Sequence, residues 1–312
     1  MNAARLAGRV NLLGPWLRAR FGRPVVKLPL DAGLSCPVRD GTIARVPCAF
    51  CPPSGSGRGL GDVPLDRQID QGLARLEERS RRRHKPPPLA LAYYQAHTTT
   101  HTSAEHLRRI LEPARRHPGV AGIIVSTRPD CLDADRWQVL EEAARTKPMW
   151  LELGLQSAHD QTLTALGRGH DVACFQAASA EARSRGIPVV AHVILGLPGE
   201  GPEHTAATAG FLARLGVWGV KMHNLMVLAG SRLAADYAAG RLSLWSRRQW
   251  AAAAAEFLAR LRPETVVHRL VADPGPDRLL APDWAGDKDR ALTALAQALE
   301  ARDLRQGALW RA

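Results

Sequence analysis

Six short apolar segments, each followed by a turn and a stretch of helical periodicity, dominate the first three quarters of the chain. The six segments are residues 25–30, 89–95, 120–127, 149–155, 188–195 and 217–228. Apolar runs of this length that alternate with helices are typical of a parallel sheet whose strands are joined by right-handed crossovers. A closed barrel needs eight such units, so the pattern predicts an α/β fold with a partial, open (β/α)6 barrel of the TIM type.

The predicted barrel occupies the middle of the chain. Residues 1–24 are mixed and basic and form an N-terminal extension, and residues 25–230 form the core. Residues 231–312 are predicted to form a helical C-terminal extension. Ser103 precedes the helix after the second strand, as expected of a residue that caps a helix N-terminus.

Three of the five cysteines lie in one loop, residues 36–51, directly after the first predicted strand. Proline, glycine and basic residues separate Cys36, Cys48 and Cys51, so the loop brings three thiols together and is predicted to be a metal site. A structural zinc site normally has four ligands, whereas an iron–sulfur cluster held by three thiolates would keep one iron open. The alternative is a zinc ion with a histidine as its fourth ligand. The candidates for that histidine are His84, His97 and His101.

Polar or glycine-rich segments follow every predicted strand. Besides the cysteine loop, they are residues 95–101, 126–131, 152–156, 196–200 and 223–224. Because the carboxyl ends of parallel strands meet at one edge of a sheet, we expect these groups to converge. A packed turn does not require such residues at every strand end, so the convergence indicates an enzyme.

The composition favours a negatively charged partner. The formal net charge is +12, although only five of the 42 basic residues are lysines, as in proteins from GC-rich genomes. A positive surface makes RNA or a nucleotide-bearing substrate a candidate, and the densest basic run is Arg79–Lys85, which could equally complement a helix dipole. No segment is long and apolar enough to span a membrane. Without an export signal or a disulfide framework, we expect a cytoplasmic protein.

Short motifs along nearly the whole chain resemble the radical S-adenosylmethionine (radical SAM) superfamily. The usual cysteine spacing there is Cys-x3-Cys-x2-Cys, but eleven residues separate Cys36 from Cys48, and this longer spacing is a mark of the YhcC-like subfamily. Further motifs similar to that subfamily are Pro-Leu-Asp-Ala-Gly at 29–33, Thr-Arg-Pro-Asp-Cys at 127–131, Glu-Leu-Gly-Leu-Gln at 152–156, Gly-Leu-Pro-Gly-Glu at 196–200 and Arg-Asp-Leu-Arg-Gln-Gly at 302–307. The strand-end features also resemble oxygen-independent coproporphyrinogen oxidase and the catalytic subunit of Elongator.

The resemblance implies two cofactors and a reaction type. Cys36, Cys48 and Cys51 would hold a [4Fe-4S] cluster whose fourth iron chelates S-adenosylmethionine (SAM). One electron from a flavodoxin- or ferredoxin-type protein would cleave SAM into methionine and a 5′-deoxyadenosyl radical. The radical would abstract hydrogen from an unidentified substrate. RNA or an RNA-linked group is one candidate, and a small metabolite and a peptide are the others. No catalytic residue is implied beyond the cofactors.

The resemblance also implies which residues contact SAM. Gln95 and Thr98 match family positions near the methionine amino group of SAM. Arg168 matches the family arginine that binds the methionine carboxylate. Gln156 and His192 would hydrogen-bond the ribose. The residues that would pack against the adenine are Ile194 and the turn that begins at Gly196.

Two other functions stay open on the sequence alone. An iron–sulfur electron-transfer protein would not cleave SAM and would need neither Gln156 nor Arg168. A nucleic-acid-binding module whose fold is held together by a metal ion would need aromatic side chains that stack on bases, but only 5% of the residues are aromatic. Cys131 is a candidate for a redox or hydrogen-donor role. The candidates for a substrate pocket are His223, Asn224, His268 and Arg269.

Overall fold

The computed structural model describes residues 6–52, 55, 59–274 and 278–311. The first five residues of the predicted N-terminal extension therefore lie outside the described residues. A seven-stranded parallel sheet, with strand order β1-β2-β3-β4-β5-β6-β8, forms its centre. These strands are β1 (Val25–Leu30), β2 (Leu89–Tyr94), β3 (Val120–Thr127), β4 (Met149–Gln156), β5 (Val189–Leu195), β6 (Gly219–Asn224) and β8 (Val266–Arg269). A separate antiparallel pair joins β7 (Val227–Leu228) and β9 (Leu279–Ala281).

The curled, open α/β barrel predicted from the sequence is confirmed. The six predicted strands are present, and their order in the sheet is their order in the chain, as in a singly wound barrel. The seventh strand, β8, was not predicted. Its four residues include only two that are apolar and buried, so its sequence gives no strand pattern, and pairing with β6 decides its conformation.

Most of the helices cover the outer face of the sheet, and one closes an end of the barrel. The helices are α1 (Leu13–Phe21), α2 (Leu65–Arg82), α3 (Ala104–Arg116), α4 (Ala134–Thr146), α5 (Asp160–Ala165), α6 (Val172–Ser184), α7 (Pro202–Leu215), α8 (Arg232–Ala238), α9 (Arg247–Arg260) and α10 (Lys288–Ala301). Short polar side chains cap several of them; Ser103, for example, accepts a hydrogen bond from the His106 backbone amide. In the described residues, no helix combines the length and apolar character that a membrane crossing requires.

Each central strand contributes side chains to two cores. In β4, Leu151, Leu153 and Leu155 point outward and join the large core between the sheet and the helices. Trp150 points inward and joins a smaller core inside the curl of the sheet. Because both faces are buried, the strands appear in the sequence as continuous apolar runs.

Helix α1 closes the barrel at the edge where the strands begin. Its Leu13 and Leu17 pack into the inner core against Leu91, Ile124 and Trp150. The backbone amide of Val267 in β8 donates to the carbonyl of Asn11, at 2.8 Å, and so ties the segment before α1 to the last strand. The open edge of the barrel is therefore the one where the strands end.

The basic run Arg79–Lys85 lies at the closed edge. It spans the last residues of α2 and the turn that precedes β2, so it sits where a strand begins. The cysteine loop follows the end of β1 and lies at the opposite edge. The densest basic run of the sequence therefore does not contribute to the site formed by the strand ends.

We predict that Leu17→Ala destabilises the protein. Leu17 is 5% exposed and fills the inner core, and loss of a buried leucine side chain costs about 3 kcal/mol in transfer and cavity terms. Urea unfolding monitored by circular dichroism measures the change. Leu309→Ala is the matched control, since Leu309 is 38% exposed and should change the free energy of unfolding by less than about 0.5 kcal/mol.

Candidate cofactor site

A cavity of about 410 Å³ opens at the edge where the strands end. Cys36, Cys48 and Cys51 all line it, as the convergence of strand ends predicts. Six of the seven residues proposed to contact SAM line it too: Gln95, Thr98, Gln156, Arg168, His192 and Ile194. Gly196 is not among the lining residues, because its Cα faces the Trp245 ring, which a Cβ would approach to 3.2 Å.

The cysteine loop is fixed at both ends by backbone hydrogen bonds. After Cys36, a turn forms in which the Arg39 amide donates to the Cys36 carbonyl at 2.8 Å. Between the other two cysteines, Ala49 donates to the carbonyl of Leu166 at 2.9 Å and accepts from the Leu233 amide at 3.0 Å. The loop is thus held between the segment after β4 and helix α8.

Two guanidinium groups face two of the thiols. Arg168 Nη1 lies 3.5 Å from Cys48 Sγ, and Arg168 Nη2 donates to the Gly154 carbonyl at 2.9 Å. Arg39 Nη1 lies 3.6 Å from Cys51 Sγ and donates to the Pro52 carbonyl at 3.1 Å. Burial raises the pKa of the Cys51 thiol, and the charge of Arg39 opposes that shift. Positive groups beside sulfur stabilise the thiolate form that metals require.

The local backbone explains why Arg168 points at the cysteines. Gly167 and Gly169, on either side of it, have φ values of +67° and +75°, a region that glycine adopts without steric cost. Arg128 Nη2 donates to the Arg168 carbonyl at 2.6 Å and so holds this tight turn. Gly154 leaves the space that the guanidinium fills, since a Cβ there would lie 2.6 Å from Arg168 Nη2.

Strand β4 ends in an irregularity at the predicted site. Gln156 has a φ of +77°, unusual for a residue other than glycine, and the pairing with β5 shifts between Gly154 and Gln156. Such backbone outliers cluster at functional sites. In the segment after β2, Thr98 is buried and lines the cavity, whereas the Thr99 hydroxyl donates to the Tyr94 carbonyl at 3.3 Å. The Thr99 side chain is therefore bonded to the backbone behind the cavity and does not line it.

The donor set fits an iron–sulfur cluster better than a single zinc ion. All five cysteines are free thiols, and three of them line one cavity. Within the described ranges, no three His, Cys, Asp or Glu side chains converge where one metal ion could bind. Of the proposed zinc ligands, His84 lies beyond α2 at the closed edge, and His101 Nε2 is engaged with Asp40 at 2.7 Å. Cysteine thiolates are the usual ligands of [4Fe-4S] clusters.

A buried ionic layer, missed by the sequence analysis, forms the floor of the cavity. Glu152 in β4 is completely buried. Lys27 Nζ donates to its Oε1 at 2.6 Å, and Lys221 Nζ donates to its Oε2 at 2.8 Å. The Tyr93 hydroxyl and His192 Nε2 also contact Oε2, at 2.6 and 2.8 Å. A lysine within an apolar strand could have suggested an inward ionic partner, but its partner is far away in the sequence.

The layer combines charged groups with a neutral imidazole. Burial alone would raise the pKa of Glu152, but Lys221 and Lys27 outweigh burial and hold the pKa well below its usual range. Burial, opposed by Glu152, lowers the pKa of Lys221 to about 8. Burial and then the charge of Lys221 lower the pKa of His192 to about 3, so this ring is neutral. Because its Nε2 binds Glu152, His192 presents only Nδ1 to a ligand.

His268 belongs to the floor and does not line the cavity. Its side chain is fully buried, with Nδ1 3.7 Å from Glu152 Oε1, which is longer than a hydrogen bond. The ring contacts Trp150 and Trp218 edge-on, at centroid distances of 5.9 and 5.0 Å. By contrast, His223, Asn224 and Arg269 line the cavity, as predicted.

Fold and site together define an open α/β barrel with three cysteines and an arginine at the mouth formed by its strand ends. The radical SAM superfamily matches residues 41–212, and the radical SAM C-terminal domain matches residues 217–301. The chain belongs to the radical SAM superfamily.

Similar proteins extend over the whole chain. It is 37% identical to Protein YhcC of Escherichia coli strain K12 over 306 residues, 97% of this chain and 96% of that protein. It is 35% identical to the uncharacterized protein YtqA of Bacillus subtilis, over 96% of this chain and 92% of that protein. Among solved structures, the archaeal Elp3 of Methanocaldococcus infernus matches 90% of this chain with a TM-score of 0.63 and 14% identity. This chain covers 64% of that one, and the likeness shows the fold.

We predict that acid destabilises the protein through His268. Burial lowers the pKa of His268 to about 4, from an ordinary 6.5. As the pH falls from 6.5 to about 4, the unfolded chain binds a proton that the folded chain does not, so stability is lost. Between pH 6.5 and 5, His268→Phe should lose less free energy of unfolding than the wild type does, by on the order of 1 kcal/mol.

Urea unfolding at several pH values measures this difference. The control is His84→Asn, since His84 is exposed and has a φ of +50°, which asparagine tolerates. The control should keep the wild-type dependence on pH. Equal slopes for His268→Phe and the wild type would show that His268 is not held neutral.

Proposed function

We propose that this protein is a radical SAM enzyme in which Cys36, Cys48 and Cys51 hold a [4Fe-4S] cluster. The observation that carries the proposal is the meeting of the three thiols with Arg168 and the strand-end polar groups in one cavity. When bound and reduced, the cofactors would supply reductive cleavage of SAM to methionine and a 5′-deoxyadenosyl radical, which takes hydrogen from a substrate. A flavodoxin- or ferredoxin-type protein is the proposed electron donor.

The lining residues have the chemistry that SAM requires. Arg168 is 6% exposed, and its Nε has no hydrogen-bond partner among the described residues, so it is prepared to bind the methionine carboxylate. Gln95 and Thr98, which follow β2 and line the same cavity, suit the methionine amino group. Gln156, whose strained backbone turns it at the end of β4, and His192, through Nδ1, suit the ribose hydroxyls.

The adenine would lie against apolar groups at the other wall. Ile194 and Phe50 both line the cavity and pack against one small core that also contains Leu197 and Leu225. Gly196 does not line the cavity, so it would affect the adenine site only through the turn that it forms against Trp245. The protein's part is to orient SAM and to exclude competing reactants. The expectation that the substrate is RNA-linked stays a prediction.

We predict that Cys48→Ala abolishes cluster binding, because two thiolates do not hold the cluster that three do. The protein is reconstituted anaerobically with iron and sulfide, and iron content and the visible absorption spectrum are measured. Reduced wild-type protein with added SAM should then form 5′-deoxyadenosine, and the variant should form none.

Cys174→Ala is the matched control. Cys174 lies on α6 and is not among the residues that line the cavity, so cluster and 5′-deoxyadenosine should both persist. Normal iron content in Cys48→Ala would refute the ligand assignment. A wild-type cluster that yields no 5′-deoxyadenosine would point to electron transfer without SAM cleavage.

We predict that Arg168→Gln weakens SAM binding by about 10- to 100-fold, the effect of losing one charge-assisted hydrogen-bonded pair. Equilibrium dialysis of SAM against the oxidised holoprotein measures this loss, with the cluster spectrum recorded in parallel. Arg145→Gln is the control, since the side chain of Arg145 is 71% exposed on α4. Unchanged SAM affinity in Arg168→Gln would remove the proposed carboxylate contact.

A further inference from the structure

The cavity extends beyond the groups proposed to hold the cluster and SAM, toward the last strands of the sheet. At that end it is lined by His223 and Asn224 of β6 and by Arg269 of β8. The cysteine loop follows β1, which lies at the opposite edge of the sheet from β8. The cavity therefore has two ends, and each carries its own positively charged groups.

Arg269 points inward because β8 contains a bulge. The pairing of β6 with β8 joins Val220 to Val267 and then Lys221 to Arg269, so His268 is the extra residue. A bulge of this kind lets two successive residues face the same side of a sheet. As a result His268 reaches the Glu152 layer while Arg269 enters the cavity beside Lys221.

No described carboxylate forms an ion pair with Arg269, although Asp273, four residues further along the chain, also lines the cavity. Arg269 is half-buried and forms no hydrogen bond or ion pair with any described residue. Glu152, the buried carboxylate nearby, already binds both Lys27 and Lys221. A partly desolvated guanidinium without a counter-ion is costly, and a bound anion would offset that cost.

Two further polar atoms beside Arg269 lack partners. Within the part of the chain that the structure describes, neither His223 Nε2 nor Asn224 Nδ2 has a hydrogen-bond partner, and both atoms are buried. Asn224 is 2% exposed, and its Oδ1 already accepts from the Ala272 amide at 3.0 Å, which leaves the Nδ2 amide as a free donor. Buried polar atoms without partners are rare and call for an explanation.

Burial and the charge of Arg269 also decide the protonation state of the His223 ring. Burial and then the charge of Arg269 lower the pKa of His223 well below its usual range, so the ring is neutral. A neutral imidazole still donates one N–H. Arg269 and the Asn224 amide offer donors only, because the Asn224 acceptor is taken, and the neutral His223 ring offers one donor and one acceptor nitrogen. A group made up mostly of donors, with one positive charge, matches an oxyanion and does not match an amine or a cation.

We propose that Arg269, His223 and Asn224 form a substrate subsite that binds an oxyanion, a phosphate or carboxylate group of the molecule on which the enzyme acts. The inference rests on the proposed function, since it assigns this end of the cavity to the substrate and the cysteine end to the cofactors. Binding there would hold the charged part of the substrate at the last strands and leave its remainder facing the centre of the cavity.

The test measures anion binding to the intact holoprotein. The protein, with its cluster oxidised so that SAM is not cleaved, is saturated with SAM, which occupies the Arg168 end. Inorganic phosphate and, in a second arm, acetate are then titrated at constant ionic strength by isothermal titration calorimetry. The two arms distinguish a phosphate site from a carboxylate site, and binding of either anion supports the subsite.

Three variants locate the bound anion. Arg269→Gln should raise the Kd of the bound anion by about tenfold or more, as expected for the loss of a charge-assisted hydrogen bond, and Arg269→Lys should restore most of the affinity through its point charge. Asn224→Asp keeps the size of the side chain and its acceptor toward Ala272 but adds a negative charge, so it should also weaken binding by about tenfold or more. It provides an independent test if Arg269→Gln does not fold.

The control is Arg248→Gln, which removes the same charge from an exposed position on α9 and should leave the Kd unchanged. Equal affinity in the wild type, Arg269→Gln and Asn224→Asp would overturn the proposal, as would the absence of phosphate and acetate binding to the wild type. Formation of 5′-deoxyadenosine by the same wild-type preparation after reduction tests the proposed function separately, so the two failures are distinguishable.

Discussion

The carboxylate of Glu152 is the group on which the interior of the barrel depends. A buried charge is tolerated only when other charges and hydrogen bonds compensate it. Here Lys27 of β1 and Lys221 of β6 supply the charges, and Tyr93 and His192 contribute hydrogen bonds from β2 and β5. One side chain thus connects strands from nearly the whole sheet. It also separates the apolar inner core, which α1 closes, from the polar cavity above it.

The cavity is organised by positive charge at both ends. At the end of the cysteine loop, Arg168 and Arg39 face thiols whose ionised form they stabilise. At the end of β6 and β8, Arg269 faces the cavity without a partner in the described chain. In the ionic layer between them, the single carboxylate of Glu152 binds both Lys27 and Lys221. The arrangement therefore leaves two separate places for negative groups, one beside the proposed cluster and one beside the proposed substrate.

Much of the fold and part of the candidate site could be predicted, for local reasons. Each strand is buried on both faces and so appears as an apolar run, and caps such as Ser103 mark where helices begin. The convergence of strand ends then brings the three cysteines to one cavity. Strand β8 and the partners of Glu152 were missed. A four-residue strand has too few residues to show a pattern, and Lys27 and Glu152 are 125 positions apart.

The sequence by itself determined the succession of strands and helices and the residue types at the strand ends, because periodicity, caps and turns are local properties. Only the tertiary structure decided which polar residues bind each other and which are left to face the cavity. Gly196 lies against Trp245, one nitrogen of His192 binds Glu152, and a bulge turns both His268 and Arg269 to the inner side of the sheet. These outcomes depend on the register between strands and on the curl of the sheet, which involve residues far apart in the chain.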